Sequence, residues 1–272
     1  EYNEAQHTYS GSLHVRGMAE IAEVRNCTFR GNNHIAGTQN QQPGVAISFN
    51  QQTEGTSAKV TNCDFLANRS GSKTFAALNI QIKSGSVKVE NCRFENLARD
   101  DGEGKMNLTQ GLAVLARKGT LRNCLFAKST VVSGARSAND TACLVWAGAS
   151  AIVENCTFVG NTLKGYKPGE GQPGAWATQL YAANGATIRN VLVGAPKIEL
   201  GEGADDSLLY TVRFDNDKKN VSNCCVEGEE TYGANPADGT KICFSETEPG
   251  HIKVPSSCRN AGANQAWMET AK

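Results

Sequence analysis

The chain lacks any apolar run near the roughly 18 residues that a membrane-spanning helix needs, so membrane insertion by this segment is not expected. It also lacks net charge: 27 Lys and Arg stand against 27 Asp and Glu. That balance removes the basic footprint that DNA, RNA or an anionic membrane requires. Aromatic residues are sparse at 7%, and there are only 4 His. Each His is isolated, without an acidic neighbour in sequence to make it a catalytic base. The 10 Cys include no Cys-x₂-Cys pair, which removes the common zinc spacing. No leader peptide opens the chain at Glu1 and no closing signal is visible at Lys272, so a mature or trimmed piece of a longer protein is expected.

What the chain has is repetition. One phrase appears at Val60-Thr61-Asn62-Cys63-Asp64-Phe65 and recurs around Asn26, Asn91, Asn123 and Asn155. Degenerate copies follow around Asn190 and Asn223. The Asn positions step by 36, 29, 32, 32, 35 and 33 residues, a period that signals a repeat architecture. Apolar residues occupy positions 1, 4 and 6 of the phrase. The step from 4 to 6 is strand alternation, whereas the step from 1 to 4 breaks it. The residue at the break is always Asn, which tolerates left-handed backbone angles. The chain is therefore expected to bend at Asn and resume with its inward face restored.

A second strand lies a short stretch upstream of the phrase within each repeat: Val45–Phe49, Leu78–Ile82, Leu112–Leu115, Cys143–Trp146, Gln179–Tyr181 and Leu208–Tyr210. Two strands, a Gly-containing turn, an Asn bend and a variable loop make one coil of a parallel β-helix. The fold class is thus all-β: a single right-handed solenoid of about seven coils. Internal ladders are expected from Asn26, Asn62, Asn91, Asn123, Asn155, Asn190 and Asn223, from Cys27, Cys63, Cys92, Cys124 and Cys156, and from Phe29, Phe65, Phe94, Phe126 and Phe158. The residue before each Asn points outward, and stacking sets Glu90, Arg122, Glu154 and Arg189 side by side with alternating sign. As exposed pairs they are expected to contribute only about 0–1 kcal/mol each.

Residues 1–226 are expected to form the coils, with 1–23 an irregular lead-in and partial first coil. From 227 the period fails, and 227–272 is expected to be a C-terminal cap over the open end. Loops should leave one corner after each Phe, at 30–43, 66–74, 95–110, 127–141, 159–176, 194–206 and 227–241. The laddered Cys read as free core thiols. One disulfide among Cys225, Cys243 and Cys258 is left open.

Phrase and period together resemble bacterial right-handed parallel β-helix repeat proteins of the pectate-lyase-like superfamily. The Phe-x-x-Asn pattern at Phe29–Asn32, Phe65–Asn68 and Phe158–Asn161 is similar to that of polymorphic outer-membrane proteins, which are surface adhesins and autotransporter passengers. The segment Ser256–Asn264 is similar to the ending of many large surface β-helix proteins. The resemblance implies a cell-surface or secreted, adhesin-like β-helix. It would bind a host or environmental glycan or surface protein through its loop face, as a monomer and without catalysis.

The same superfamily holds polysaccharide lyases and glycoside hydrolases, so a carbohydrate-active enzyme acting on an acidic polysaccharide is the alternative. Its candidate carboxylates are Asp100 and Asp101, and Asp205 and Asp206. No cofactor or metal site is called for, although the lyase alternative would bring calcium. For binding, the candidates are Trp146, Tyr166, Trp176, Tyr181 and Tyr210, rings able to stack on sugars. The glycine spacing turns Trp146 and Tyr181 outward, while counting from the Asn ladder turns Trp146 inward.

Overall fold

Four short strands per coil, rather than the two read from the sequence, carry the chain around the solenoid. The structure is a computed structural model, describing residues 4–5, 13–16, 21–34, 47–51, 57–70, 77–82, 87–99, 112–133, 141–166, 176–215 and 220–227. Of the expected cap, 227–272, everything after Glu227 lies outside the described residues. Every pairing between strands is parallel, one coil upon the next.

The first face holds strands such as Leu78–Ile82, Trp176–Ala182 and Leu209–Phe214. The second holds Ile21–Arg25, Ser57–Thr61 and Val87–Glu90. Two long strands, Val114–Arg122 and Thr141–Glu154, run through both and join them into one 12-stranded sheet. The third face is a 7-stranded sheet with one strand from each phrase copy, from Thr28–Arg30 to Cys225–Val226. The fourth is another 7-stranded sheet, which includes Arg69–Ser70, Thr130–Val132, Thr162–Gly165 and Lys197–Leu200.

The Asn bend is where the phrase puts it. All seven Asn have φ between 51 and 55°, the left-handed region that Asn enters more readily than most residues. Their ladder, however, runs along the outside of the corner and not inside the coil. Asn26, Asn62 and Asn91 are exposed, and four amides donate to the Asn one rung earlier: Asn62 to Asn26 at 3.2 Å, Asn91 to Asn62 at 3.2 Å, Asn123 to Asn91 at 3.1 Å, and Asn190 to Asn155 at 3.0 Å, whereas the Nδ2 of Asn155 makes no hydrogen bond with any described residue. The physical reason is geometric. A left-handed residue at a convex corner turns its side chain away from the interior, and only the next residue, Cys, turns back in.

A second left-handed corner follows each Phe and was not foreseen. It falls on Gly31, Ala67, Asn96, Lys128 and Gly160, with φ from 50 to 66°. After it the chain forms the fourth-face strand, so the segments read as loops from 30, 66, 95, 127, 159 and 194 begin with ordered strand. The inner Asn column lies here. Asn32, Asn68 and Asn161 are buried, and their amides bond backbone across rungs. Asn68 accepts from Asn32 N at 3.0 Å and donates to Phe29 O at 3.0 Å. Asn161 accepts from Ser129 N at 2.9 Å and donates to Phe126 O at 3.0 Å. Gln179 closes the column, accepting from Asn161 at 2.8 Å and donating to Gly194 O at 2.8 Å.

Between the corners lie the two apolar columns. Phe65, Phe94, Phe126 and Phe158 are fully buried and stacked, with centroids 4.7–4.9 Å apart, and Phe29 extends the stack at 5.3 Å. Each laddered thiol donates to the carbonyl two residues earlier, as Cys63 does to Thr61 and Cys92 to Glu90, both at 3.2 Å. Cys63 and Cys92 are pushed well above the ordinary thiol range, first by the hydrogen bond with the next thiol in the column and then by burial. Burial raises Cys124 well above that range and Cys224 to about 11. These are packing groups rather than thiolate nucleophiles. Cys225 is disulfide-bonded, to a partner outside the described residues.

The outward charge row stacks in the expected register, Glu90 beside Arg122 and Arg122 beside Glu154 beside Arg189. Its burial differs from expectation. Glu154 is 0% exposed, held by Arg122 Nε at 2.5 Å and Arg189 Nε at 2.6 Å. Its neighbours cover a carboxylate that the alternation merely turns outward. A buried charge between two partners matters more than a surface pair. Because Arg122 and Arg189 keep 27% and 35% of their side chains exposed and can turn to water, Glu154→Gln is expected to lower stability by about 1–2 kcal/mol. The Glu90→Gln change should have a much smaller effect. Urea unfolding of the two variants checks this, and equal losses would contradict the burial.

Candidate ligand-binding surface

On the first face two adjacent residues point inward, Leu144 with Val145 and Gln179 with Leu180, all buried. The pairing skips one residue there: Cys143 faces Thr178 and Val145 faces Leu180. This irregularity shifts the alternation by one position. It resolves the two conflicting sequence counts in favour of the outward direction for Trp146 and Tyr181.

Trp146, Tyr181 and Arg213 then occupy one outward row on successive rungs. The Trp146 and Tyr181 rings stack with centroids 5.8 Å apart at 26°. Arg213 turns its guanidinium over the Trp176 ring, Cζ lying 2.9 Å from the centroid, a cation–π contact. Tyr181 donates its hydroxyl to Asp215 Oδ2 at 2.5 Å. Burial first, and then this bond, raise the phenol above its usual range. Burial lowers Arg213, which remains charged. Tyr210, on the same strand, is 40% exposed. Three rungs span about 10 Å from first to third. Along them lie two stacked rings, a guanidinium on an indole, a carboxylate and an exposed phenol. Such a surface stacks on the C–H face of a sugar ring and exchanges hydrogen bonds with its hydroxyls.

Four of the five aromatic candidates therefore share one strip. Tyr166 stands apart. It follows the fourth-face strand Thr162–Gly165, donates its backbone N–H to Ser133 Oγ at 3.3 Å and lies against Gly201. Arg213 and Asp215 escaped sequence reading, because a lone Arg and a lone Asp carry no signal. Their two-residue spacing from one another, three and five residues after Tyr210, was the available clue.

Among the carboxylate candidates, Asp100 and Asp101 lie outside the described residues. Asp205 caps a single 3₁₀ turn, Asp206–Leu208, accepting from Ser207 N at 2.9 Å, and that bond lowers its carboxyl. Asp206 is exposed in the same turn. Among the described residues no three His, Cys, Asp or Glu converge on a point that would hold a metal ion.

No curated protein and no solved structure matches the chain. Residues 45–248 match the family described as right handed beta helix region, which takes in the aromatic strip and most of the ladders. With three quarters of its length matched and all its described strands stacked in parallel coils, the chain belongs to the right-handed β-helix family.

Proposed function

We propose that this β-helix is a non-catalytic, adhesin-like binding module of the cell surface or secreted space, taking a glycan on its first face. The outward row Trp146–Tyr181–Arg213, with Trp176 and Tyr210 beside it, carries the proposal. Trp176 opens its strand directly after residues 167–175, and it closes the segment 159–176 that the sequence reads as one of the binding loops. Loops grouped on one side of a solenoid are its usual recognition surface. The disulfide at Cys225 suits an oxidising, extracytoplasmic setting.

The test is a glycan array followed by calorimetry on the best oligosaccharide. Tyr210→Ala and Trp146→Ala should each weaken binding about tenfold, the equivalent of about 1.4 kcal/mol, with circular dichroism unchanged. Full-strength binding by the Trp146→Ala/Tyr181→Ala double variant would remove the strip from the interface. Release of oligosaccharide products from polyuronate, with or without calcium, would overturn the non-catalytic assignment.

A further inference from the structure

A second feature lies on the third face, away from the aromatic strip. A depression of about 320 Å³ opens at the left-handed corner, lined by Arg30, Leu66, Ala67, Arg93, Glu95 and Asn96. Its origin is the outward row Arg30, Leu66, Glu95 on three successive rungs. The middle rung carries a short apolar side chain between longer charged ones. Ala67 supplies only a methyl at the adjoining corner. Floor and walls thus differ in chemistry: methyl groups below, the Arg30 guanidinium on one side and Arg93 paired with the Glu95 carboxylate on the other.

The charges around it are uneven. Arg30 is exposed and makes no hydrogen bond or ion pair with any described residue. Arg93 pairs with Glu95 along its own strand, and Lys128 Nζ reaches the other oxygen of Glu95 at 3.2 Å. Arg69 reaches the rim, donating to Asn96 O and to Asn96 Oδ1. Asp64, beside Arg93 in the neighbouring outward row, is the other acid nearby. Four cations therefore surround the depression against two carboxylates, and Glu95 is already shared between two of them. Burial acts against its ionisation, but its bonds to Lys128 and Arg93 outweigh that and hold it below the usual range.

We propose that this depression is an anion-binding site for a sulfated oligosaccharide. The apolar floor of Leu66 and Ala67 takes the C–H face of a sugar ring. The donors then approach from opposite sides, Arg30 from one rung and Arg93 with Lys128 from the rungs beyond. A sulfate offers three acceptor oxygens to such diverging donors, whereas one planar carboxylate is satisfied by a single Arg fork. The site shares no residue with the first-face strip, so either can fail alone.

The experiment uses the full chain with a sulfated hexasaccharide, its desulfated counterpart, a polyuronate of matched length and an acidic peptide of matched charge, each measured by calorimetry at low and raised salt. The sulfated ligand should bind best and weaken with salt. Arg30→Ser, which breaks no contact, and Leu66→Glu, which places a negative charge on the floor, should each reduce its affinity at least about tenfold. Lys88→Ala, which removes an exposed cation from the second face, should leave it unchanged. Equal binding of the desulfated sugar, the polyuronate or the peptide would overturn the assignment. So would unchanged affinity in both Arg30→Ser and Leu66→Glu.

Discussion

Phe126→Ala is expected to destabilise the solenoid by about 3–5 kcal/mol, a loss that Phe94→Ala, equally buried and stacked on both sides, should match. Phe126 is fully buried and stacked on both sides, on Phe94 at 4.9 Å and on Phe158 at 4.7 Å. Removal of the ring opens a cavity between two coils whose spacing is fixed by strand pairing, so the neighbours cannot collapse into it. Each lost stacking contact adds about 0.5–1.5 kcal/mol beyond the area term. Phe29→Ala makes the control. Phe29 is only half-buried and stacks on one ring, 5.3 Å away, so its loss should be markedly smaller. Contacts in a solenoid are between neighbours, so Phe94→Ala and Phe126→Ala should be non-additive, while Phe65→Ala and Phe158→Ala should add. Urea unfolding followed by far-UV circular dichroism measures all of these. Equal losses for Phe29→Ala and Phe126→Ala would contradict a column stabilised by stacking.

What could be read from the sequence depended on whether one structural demand was met by one residue type. The first corner always needs a left-handed residue and is always Asn, so Asn26 through Asn223 mark it plainly. The second corner makes the same demand and meets it with Gly31, Ala67, Asn96, Lys128 and Gly160. Ala and Lys enter that region at a cost of about 1–2 kcal/mol, which the surrounding sheets over-determine. No pattern survives that variety. The strands after that corner are only two to four residues long, too short for alternation to register. On the first face the alternation itself misled, because Leu144 and Val145 both point inward. Glu154 misled differently. Its outward direction and its Arg neighbours were legible, but what covers it depends on packing that no spacing reveals. In the binding strip the rings were legible as rings. Their meeting with Arg213 and Asp215 was not, since it arises only when rungs stack.

The same contrast yields the second large effect, in Asn161→Leu. The sequence draws attention to the repeated outer Asn, yet the structure gives the greater weight to the inner column. Leu is the informative substitution, because Leu97 already occupies this column fully buried, one rung from Ser129. An apolar side chain of that size therefore fits, and the loss reports hydrogen bonding rather than shape. Without the amide, Ser129 N–H, Phe126 C=O and Gln179 Oε1 each lose a partner at a buried site. An orphaned buried group costs about 1–3 kcal/mol, so a total of roughly 3 kcal/mol or more is expected. Asn62→Gly should cost less than about 1 kcal/mol, since Gly accepts the left-handed corner and the lost amide bond is exposed. Because Gln179 is orphaned by the change, Asn161→Leu/Gln179→Leu should lose less than the sum of its single variants, the signature of two polar groups that stabilise only as a pair. Strict additivity, or a loss in Asn161→Leu no greater than in Asn62→Gly, would show that the inner column contributes packing alone. The expected coupling would instead place the polar spine of the coil at the second corner, inside the turn that the repeat conceals.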